Sequence, residues 1–152
     1  MAERKYVIFK IKDEEYGVDI MKVKEVSEFK KSTSIPNSPS FVDGIINLRG
    51  DITPIISLKK KFNIPVEKGY DDSSRIIVVN MNDKLVGFAV DEASQVISID
   101  DSNIDPPPEI VAGLDRRYIN GIGKLQDRIV IILDLERVLN ENEQTEISGI
   151  YA

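Results

Sequence analysis

The 152-residue sequence contains no cysteine and no histidine. Without cysteine there is no disulfide and no thiolate ligand for a metal ion, and without histidine there is no imidazole ligand and no imidazole base. Every Cys–His and Ser–His catalytic pair is therefore excluded. The sequence also lacks a glycine-rich loop that could hold a phosphate group. These absences favour an interaction module without a cofactor over an enzyme.

Long apolar runs and positive charge are scarce as well. No stretch approaches the roughly 18 uncharged apolar residues that a membrane-spanning helix needs. The first ten residues, "MAERKYVIFK", contain no apolar signal core, so we expect a cytoplasmic chain. A net charge of −6 argues against nucleic acid as a partner, because phosphate neutralisation requires a basic surface. The longest basic run, Lys59 to Lys61, is interpreted as solvated charge just past a strand.

The hydrophobic pattern predicts short β-strands along most of the chain. A hairpin is predicted at residues 5–20, where two β-rich runs flank a polar turn. A second hairpin is predicted at residues 41–58, since Gly50 adopts the positive φ of a tight turn at low cost. Further β-rich runs follow at residues 74–81, 85–90, 95–99, 118–125 and 128–135. Residues 134–142 alone have the spacing of an amphipathic helix.

The two halves of the sequence resemble each other. Residues 41–58 align without a gap with residues 118–135, a shift of 77 positions, and residues 6–26 align more weakly with the segment 70 positions later. Six of the eighteen positions in the first alignment are identical: Gly44/Gly121, Ile45/Ile122, Leu48/Leu125, Ile52/Ile129, Ile55/Ile132 and Leu58/Leu135. The same order of hairpin, third strand, loop and hairpin occurs twice, which predicts an internal duplication.

The duplication predicts two β-lobes, at approximately residues 1–70 and 71–152, within a single domain. About five short strands tend to close into a small barrel, because closure removes exposed sheet edges. A lobe of roughly 70 residues has little core of its own, so we expect the two lobes to share one hydrophobic core. A groove between the lobes is then the expected binding site.

Two features allow more than one interpretation. The acidic pairs Asp71–Asp72, Asp91–Glu92 and Asp100–Asp101 either occupy turns, where aspartate accepts backbone hydrogen bonds, or carry out acid–base or Mg²⁺ chemistry. An acid-dependent hydrolase would need two of these pairs to converge in one pocket. The proline-rich segment at residues 105–110 is either a stiff spacer or a docking ledge.

Four stretches together resemble the CheW family, the adaptors of bacterial chemotaxis. They are "DEEYGVDIMKVKEV" at 13–26, "IPNSPSFVDGIINLRGDITPIISL" at 35–58, "LVGFAVDEASQVISI" at 85–99 and "YINGIGKLQDRIVIILDL" at 118–135. The resemblance covers nearly the whole chain, which is too short to include the kinase or receiver domains to which this fold is fused in CheA and CheV. It implies two SH3-like five-stranded β-barrels that share a hydrophobic core, followed by a short C-terminal helix, without catalysis.

The resemblance also implies partners and contact residues. Such adaptors bridge the cytoplasmic tip of a chemoreceptor to the regulatory domain of the histidine kinase CheA. Family residues that contact the receptor correspond to Val23, Gly44 and Arg49. Asn47, two residues before Arg49 on the same strand face, is expected either to line the groove or to cap its turn. Taken without the family, Val23 is interpreted as a core residue and Arg49 as a charge at a strand end.

The kinase contacts are implied less directly. In the family, the first lobe packs apolar residues against a barrel of CheA, and residues 105–110 correspond to a second contact with Ile110 as its apolar anchor. Asp105 stands where a basic residue can occur in the family, which leaves charge pairing at that contact open. An adaptor of the same fold in a non-chemotactic kinase pathway is the alternative, and neighbouring genes or a pulldown would separate the two.

Overall fold

The computed structural model of the chain describes residues 3–65, 69–107, 116–139 and 143–144. The strands in these ranges are β1 Glu3–Ile11, β2 Glu14–Asp19, β3 Val23–Glu28, β4 Val42–Leu48, β5 Asp51–Ser57, β6 Arg75–Met81, β7 Lys84–Val90, β8 Glu92–Asp100, β9 Ile104–Asp105, β10 Ile119–Lys124 and β11 Ile129–Leu133. The α-helices whose bounds lie within these ranges are α1 Leu58–Lys61 and α2 Leu135–Val138. None of the described helices is long and apolar enough to cross a membrane.

The strands form two sheets, which confirms the prediction of a mostly β chain with a short C-terminal helix. The six-stranded sheet has the order β8-β1-β2-β11-β10-β9, and the five-stranded sheet has the order β3-β6-β7-β5-β4. Neighbouring strands are antiparallel except for the pairs β2–β11 and β5–β7, which are parallel. The first turn of the predicted helix at 134–142 is present as α2, with Asp134 as its N-cap.

Each sheet takes strands from both halves of the chain. Hairpin β1–β2 pairs with β8 and β11, whereas hairpin β6–β7 pairs with β3 and β5. The two sheets therefore do not divide at residues 70 and 71, where the sequence placed the boundary between the lobes. Because half of this chain buries little apolar surface by itself, exchanging hairpins lets each half complete its sheet with strands of the other.

The strand registers confirm the internal duplication. Hairpins β4–β5 and β10–β11 pair residues at the same relative positions, and both contain a register shift at the same place. The equivalent pairs are Val42–Ile56 and Ile119–Leu133, Gly44–Ile55 and Gly121–Ile132, and, between parallel strands, Ile55–Gly87 and Ile132–Gly17. All of them follow the shifts of 77 and 70 positions read from the sequence.

One hydrophobic cluster joins the halves, as expected for a shared core. It includes buried residues of β1, β2, β5, β6, β7, β11 and both α-helices. Four aromatic rings pack in series through it, with centroid distances of 5.7 Å from Phe9 to Tyr16, 6.3 Å from Tyr16 to Phe62 and 5.9 Å from Phe62 to Tyr118. Burial, with a smaller effect from the nearby Glu14, raises the pKa of Tyr16 to about 12.

The interpretation of Lys59 to Lys61 as solvated charge is wrong for two of the three residues. These lysines form α1, which packs on the core through the buried Leu58. Each lysine pairs with a carboxylate: Lys59 with Asp91, Lys60 with Asp43 and Lys61 with Glu143. The side chains of Lys59 and Lys61 are each only 12% exposed, because each lies against its carboxylate partner, Asp91 or Glu143.

The duplication provides a matched test of packing at the two parallel strand pairs. A Cβ atom on Gly87 would lie 2.7 Å from side-chain carbons of both Ile55 and Ile76, whereas a Cβ atom on Gly17 would lie 3.1 Å from Val130. Gly87→Ala is expected to lower the free energy of unfolding by roughly 1–3 kcal/mol, as overpacking does, and Gly17→Ala by less. Urea denaturation of both variants measures the difference. Equal losses would contradict this account of the strand contacts.

Candidate protein-interaction site

The tip of hairpin β4–β5 is a two-residue turn formed by Arg49 and Gly50. Both residues have positive φ values, 53° and 92°, which is the conformation of a type I′ turn. Asn47 stabilises the turn, because its Oδ1 accepts a hydrogen bond of 2.7 Å from the backbone N–H of Gly50. The capping role considered for Asn47 is therefore present, and its side chain remains exposed.

Arg49 forms an ion pair with Glu25 of β3. The arginine side chain is 75% exposed and the glutamate side chain 19% exposed, so the pair holds the guanidinium at the surface. An ion pair this exposed contributes little to stability, typically about 0–1 kcal/mol. β3 and β4 are opposite edges of the five-stranded sheet, so the ion pair connects one edge strand to the turn that follows the other. The sequence did not identify Glu25 as the partner.

The backbone at Arg49 is unfavourable for its residue type. A left-handed conformation costs a non-glycine residue roughly 1–2 kcal/mol, and asparagine or glycine would fit this turn position better. An exposed arginine in such a conformation is a reason to look for a function of the side chain itself. The turn and Glu25 together present several guanidinium donors to an incoming partner.

Val23 and Gly44 are less accessible than Arg49. Val23 begins β3, pairs with Val79 and packs half-buried against the main hydrophobic cluster, so its core interpretation is partly correct. Gly44 is buried, and a Cβ atom there would lie 2.3 Å from the carbonyl oxygen of Thr33. The absence of a side chain allows Thr33 to exchange two 2.9 Å backbone hydrogen bonds with Ile45. Gly44 thus allows the segment between β3 and β4 to lie directly against β4.

Two exposed apolar residues lie beside the ion pair in sequence. Val26 follows Glu25 on β3 and is 39% exposed, and Ile52 is the second residue of β5 and is 47% exposed. We call the set of Glu25, Val26, Arg49 and Ile52 the Val26–Ile52 surface. The set is grouped by proximity to the ion pair in sequence, and its two apolar side chains are exposed, as are many residues that contact another protein.

The six-stranded sheet carries an equivalent pair of exposed apolar residues. Val96 and Ile129, at shifts of 70 and 77 positions, are 55% and 62% exposed. Beside them, an Nη of Arg128 lies 3.3 Å from Oε1 of Gln95, the counterpart of Glu25. The alignment of the two halves already contains the identities Val26/Val96 and Ile52/Ile129. The alternation of side chains along a strand is the signal that could have shown that these four residues face outward.

The residues predicted for a second kinase contact are only partly described. Asp105 ends β9 and pairs with Lys124 of β10, with 3.1 Å between Oδ2 and Nζ. Both side chains are about half exposed, so the charge of Asp105 is already balanced within the chain. Ile110 lies outside the described residues.

Two of the acidic pairs do converge, as a hydrolase would require. Asp71, Asp91 and Glu92 contribute to the lining of one cavity of about 360 Å³, together with Lys12 and Lys59. The Asp91 carboxylate accepts a 2.6 Å hydrogen bond from the backbone N–H of Lys12 and lies 2.8 Å from Nζ of Lys59. These contacts tie Asp91 to two structural elements, which supports the structural interpretation.

Asp71 and Asp100 both accept local backbone hydrogen bonds, as aspartate does at turns and helix starts. Asp71 accepts a 2.8 Å hydrogen bond from the N–H of Ser73, and Asp100 accepts one of 2.9 Å from the N–H of Ser102. The hydrogen bond from Ser102 lowers the pKa of Asp100, because it stabilises the charged form. Among the described residues, no group of three or more side chains is placed to hold a metal ion.

Comparison with known proteins was made by sequence and by structure. A family model described as the CheW-like domain matches residues 5–143. The "Chemotaxis protein CheW" of Klebsiella aerogenes is 38% identical over 149 residues, covering 97% of this chain and 88% of that protein. The protein of the same name from Bacillus subtilis is 35% identical over 144 residues, covering 94% and 92%. The crystal structure of the "scaffolding protein TtCheW" from Thermoanaerobacter tengcongensis matches with a TM-score of 0.84 and 40% identity, covering 94% and 92%.

Proposed function

The chain belongs to the CheW-like domain family, and on that premise we propose that it is a non-catalytic adaptor that couples chemoreceptors to the histidine kinase CheA in bacterial chemotaxis. The relatives bear the name of a chemotaxis protein, and the matching crystal structure is that of a scaffolding protein. The observation that carries the proposal is the exposed guanidinium of Arg49, held by Glu25 at the tip of a strained turn.

The proposed receptor site is centred on Arg49. Receptor tips are helical, and helices offer carboxylates and C-terminal carbonyl groups that accept the paired hydrogen bonds of a guanidinium. Asn47 contributes by fixing the turn, and Gly44 by seating the segment at Thr33. Val23 contributes apolar surface where β3 leaves the core.

The proposed kinase site uses the apolar part of the Val26–Ile52 surface. A barrel of the kinase regulatory domain would cover the exposed side chains of Val26 and Ile52. A second kinase contact is proposed at Asp105 and Ile110, on the grounds of family position alone.

We also propose that the whole chain is one domain whose sheets curl into two SH3-like barrels. Two contacts support this for the five-stranded sheet: the ion pair from Arg49 to Glu25 connects the turn after β4 to the opposite edge strand β3, and a backbone bridge from Thr33 to Ile45 joins the segment after β3 to β4. In this role the protein works in the cytoplasm, recruited to receptor arrays at the membrane.

The first prediction concerns receptor binding. Arg49→Ala is expected to weaken binding to the receptor tip by roughly 1–3 kcal/mol, because hydrogen bonds to a charged group are lost. The free energy of unfolding should fall by no more than about 1 kcal/mol, as for any exposed ion pair. Arg128→Ala, which removes the arginine beside the equivalent hairpin, is the matched control. Titration of both variants with a receptor fragment, together with thermal melts, makes the test. Similar losses for the two variants would mean that Arg49 has no special role.

The second prediction concerns the kinase. The double variant Val26→Glu, Ile52→Glu should weaken binding to the CheA regulatory domain by at least about tenfold, because two charges would enter an apolar contact. The equivalent variant Val96→Glu, Ile129→Glu changes the other sheet by the same chemistry and serves as the control. Isothermal titration calorimetry compares the two. If the control loses as much affinity as the test variant, the kinase does not distinguish the two surfaces and this assignment fails.

A further inference from the structure

Tyr70, between α1 and β6, connects the two edges of the five-stranded sheet. Its ring stacks on Phe29, the residue that follows β3, with a centroid distance of 4.4 Å. Its hydroxyl donates a 3.0 Å hydrogen bond to Oδ2 of Asp43, the second residue of β4. Because β3 and β4 are the edge strands of this sheet, one side chain joins the end of one edge to the beginning of the other.

Asp43 is itself anchored to α1. Its Oδ1 lies 2.9 Å from Nζ of Lys60, and its side chain is only 13% exposed. The Tyr70 hydroxyl also lies 3.3 Å from Oγ of Ser57, the N-cap of α1. Burial raises the pKa of Tyr70, so the hydroxyl keeps its proton and remains a donor. A hydrogen bond to a carboxylate is stronger than one between neutral groups, so the contact holds Tyr70 firmly on β4.

The segment that begins at Phe29 is fastened to β4 at a second point. Thr33 exchanges two 2.9 Å backbone hydrogen bonds with Ile45, and a Cβ atom on Gly44 would lie 2.3 Å from the carbonyl oxygen of Thr33. Asp43 and Gly44 are neighbours on β4, so the Tyr70 contact lies next to this backbone bridge. Loss of the Tyr70 contact therefore frees the segment to move away from β4 beside Gly44.

The opposite ends of β3 and β4 are held by a different contact. Glu25, in the first half of β3, pairs with Arg49, which follows β4. The two edge strands are thus connected at both ends, once by Tyr70 and once by an ion pair. At the position equivalent to Asp43, hairpin β10–β11 has Asn120, an uncharged amide. The carboxylate anchor is therefore a feature of the hairpin that carries the proposed receptor residues.

We propose that Tyr70 is a positioning residue for the receptor site, which holds the segment containing Phe29 and Thr33 against β4 at Gly44 before the receptor binds. This inference rests on the proposed function. A surface that is already in place loses less conformational freedom on binding, so its affinity is higher. The hydroxyl is the essential group, because the ring alone stacks on Phe29 but does not hold Asp43. The role requires no contact between Tyr70 and the receptor.

Hydrogen exchange followed by NMR tests the positioning without any partner. Tyr70→Phe keeps an aromatic ring beside Phe29 and removes the hydrogen bond to Asp43. The amides of Thr33 and Ile45 should then exchange at least about fivefold faster relative to the amides of β10 and β11, because the opening is local. Tyr16→Phe, which removes a buried hydroxyl 3.5 Å from Oε2 of Glu14, is the matched control and should leave this ratio unchanged.

Two results of the exchange experiment would overturn the proposal. The first is an unchanged ratio in Tyr70→Phe. The second is an equal acceleration at all these amides, which would mean that Tyr70 contributes only to the overall stability of the fold.

Binding measurements test the consequence for the receptor site. Tyr70→Phe should weaken binding of the receptor fragment by about three- to tenfold, the size of effect expected for one hydrogen bond. Binding of the CheA regulatory domain should not change, because Val26 and Ile52 lie within paired strands. Phe29→Leu, which removes the stacked ring from the other side, should reproduce this pattern. Tyr16→Phe should leave both affinities unchanged.

The outcomes separate this role from the proposed function. If Arg49→Ala weakens receptor binding and Tyr70→Phe does not, the receptor site stands and the role of Tyr70 is wrong. Equal losses of receptor and CheA affinity in Tyr70→Phe would also overturn the role. If neither variant weakens receptor binding, the proposed receptor site is wrong and the positioning role fails with it.

Discussion

The two sheets depend on each other because each half of the chain completes its sheet with a hairpin from the other half. The contacts that make this possible are the parallel pairs β5–β7 and β2–β11, where Gly87 faces Ile55 and Gly17 faces Ile132. A Cβ atom at Gly87 would lie 2.7 Å from side-chain carbons of Ile55 and Ile76, and one at Gly17 would lie 3.1 Å from Val130, so glycine lets the neighbouring side chains pack closely at both points. Neither half can separate without losing its sheet as well as its core, so a small chain holds two sheets in one fixed relation.

Because the two sheets are held in one fixed arrangement, the surface residues on them are held in place before a partner binds. A binding residue is most effective when its neighbours hold it in place before the partner arrives, since less conformational freedom is then lost on binding. Arg49 illustrates this, because the turn, the cap by Asn47 and the ion pair with Glu25 all restrict it. The two hairpins differ in this respect, since Arg49 pairs with Glu25 at one, whereas Arg128 contacts both Gln95 and Glu15 at the other.

The sequence predicted the strand registers that the two halves share. It did not predict the contacts that arise because the halves exchange hairpins. Matching registers at Gly44 and Gly121 were visible in the alignment, and the structure confirms them through identical pairing. The sequence could not show which sheet hairpins β1–β2 and β6–β7 join, because the apolar pattern of each hairpin is compatible with either sheet. Lys59 and Lys61 were misjudged for a related reason, since their carboxylate partners lie far away in sequence. The ion pair of Arg49 with Glu25 was likewise not visible, because the two residues lie 24 positions apart and belong to opposite edges of the sheet.

The central claim is that this chain physically connects receptor and kinase, and co-sedimentation tests it most directly. Membranes that contain the chemoreceptor are mixed with CheA, with and without the purified chain, and the kinase in the pellet is measured. The account predicts that CheA sediments with the membranes in proportion to added chain, and that both proteins pellet together. CheA that pellets equally well without the chain, or that stays in solution despite it, would contradict the claim.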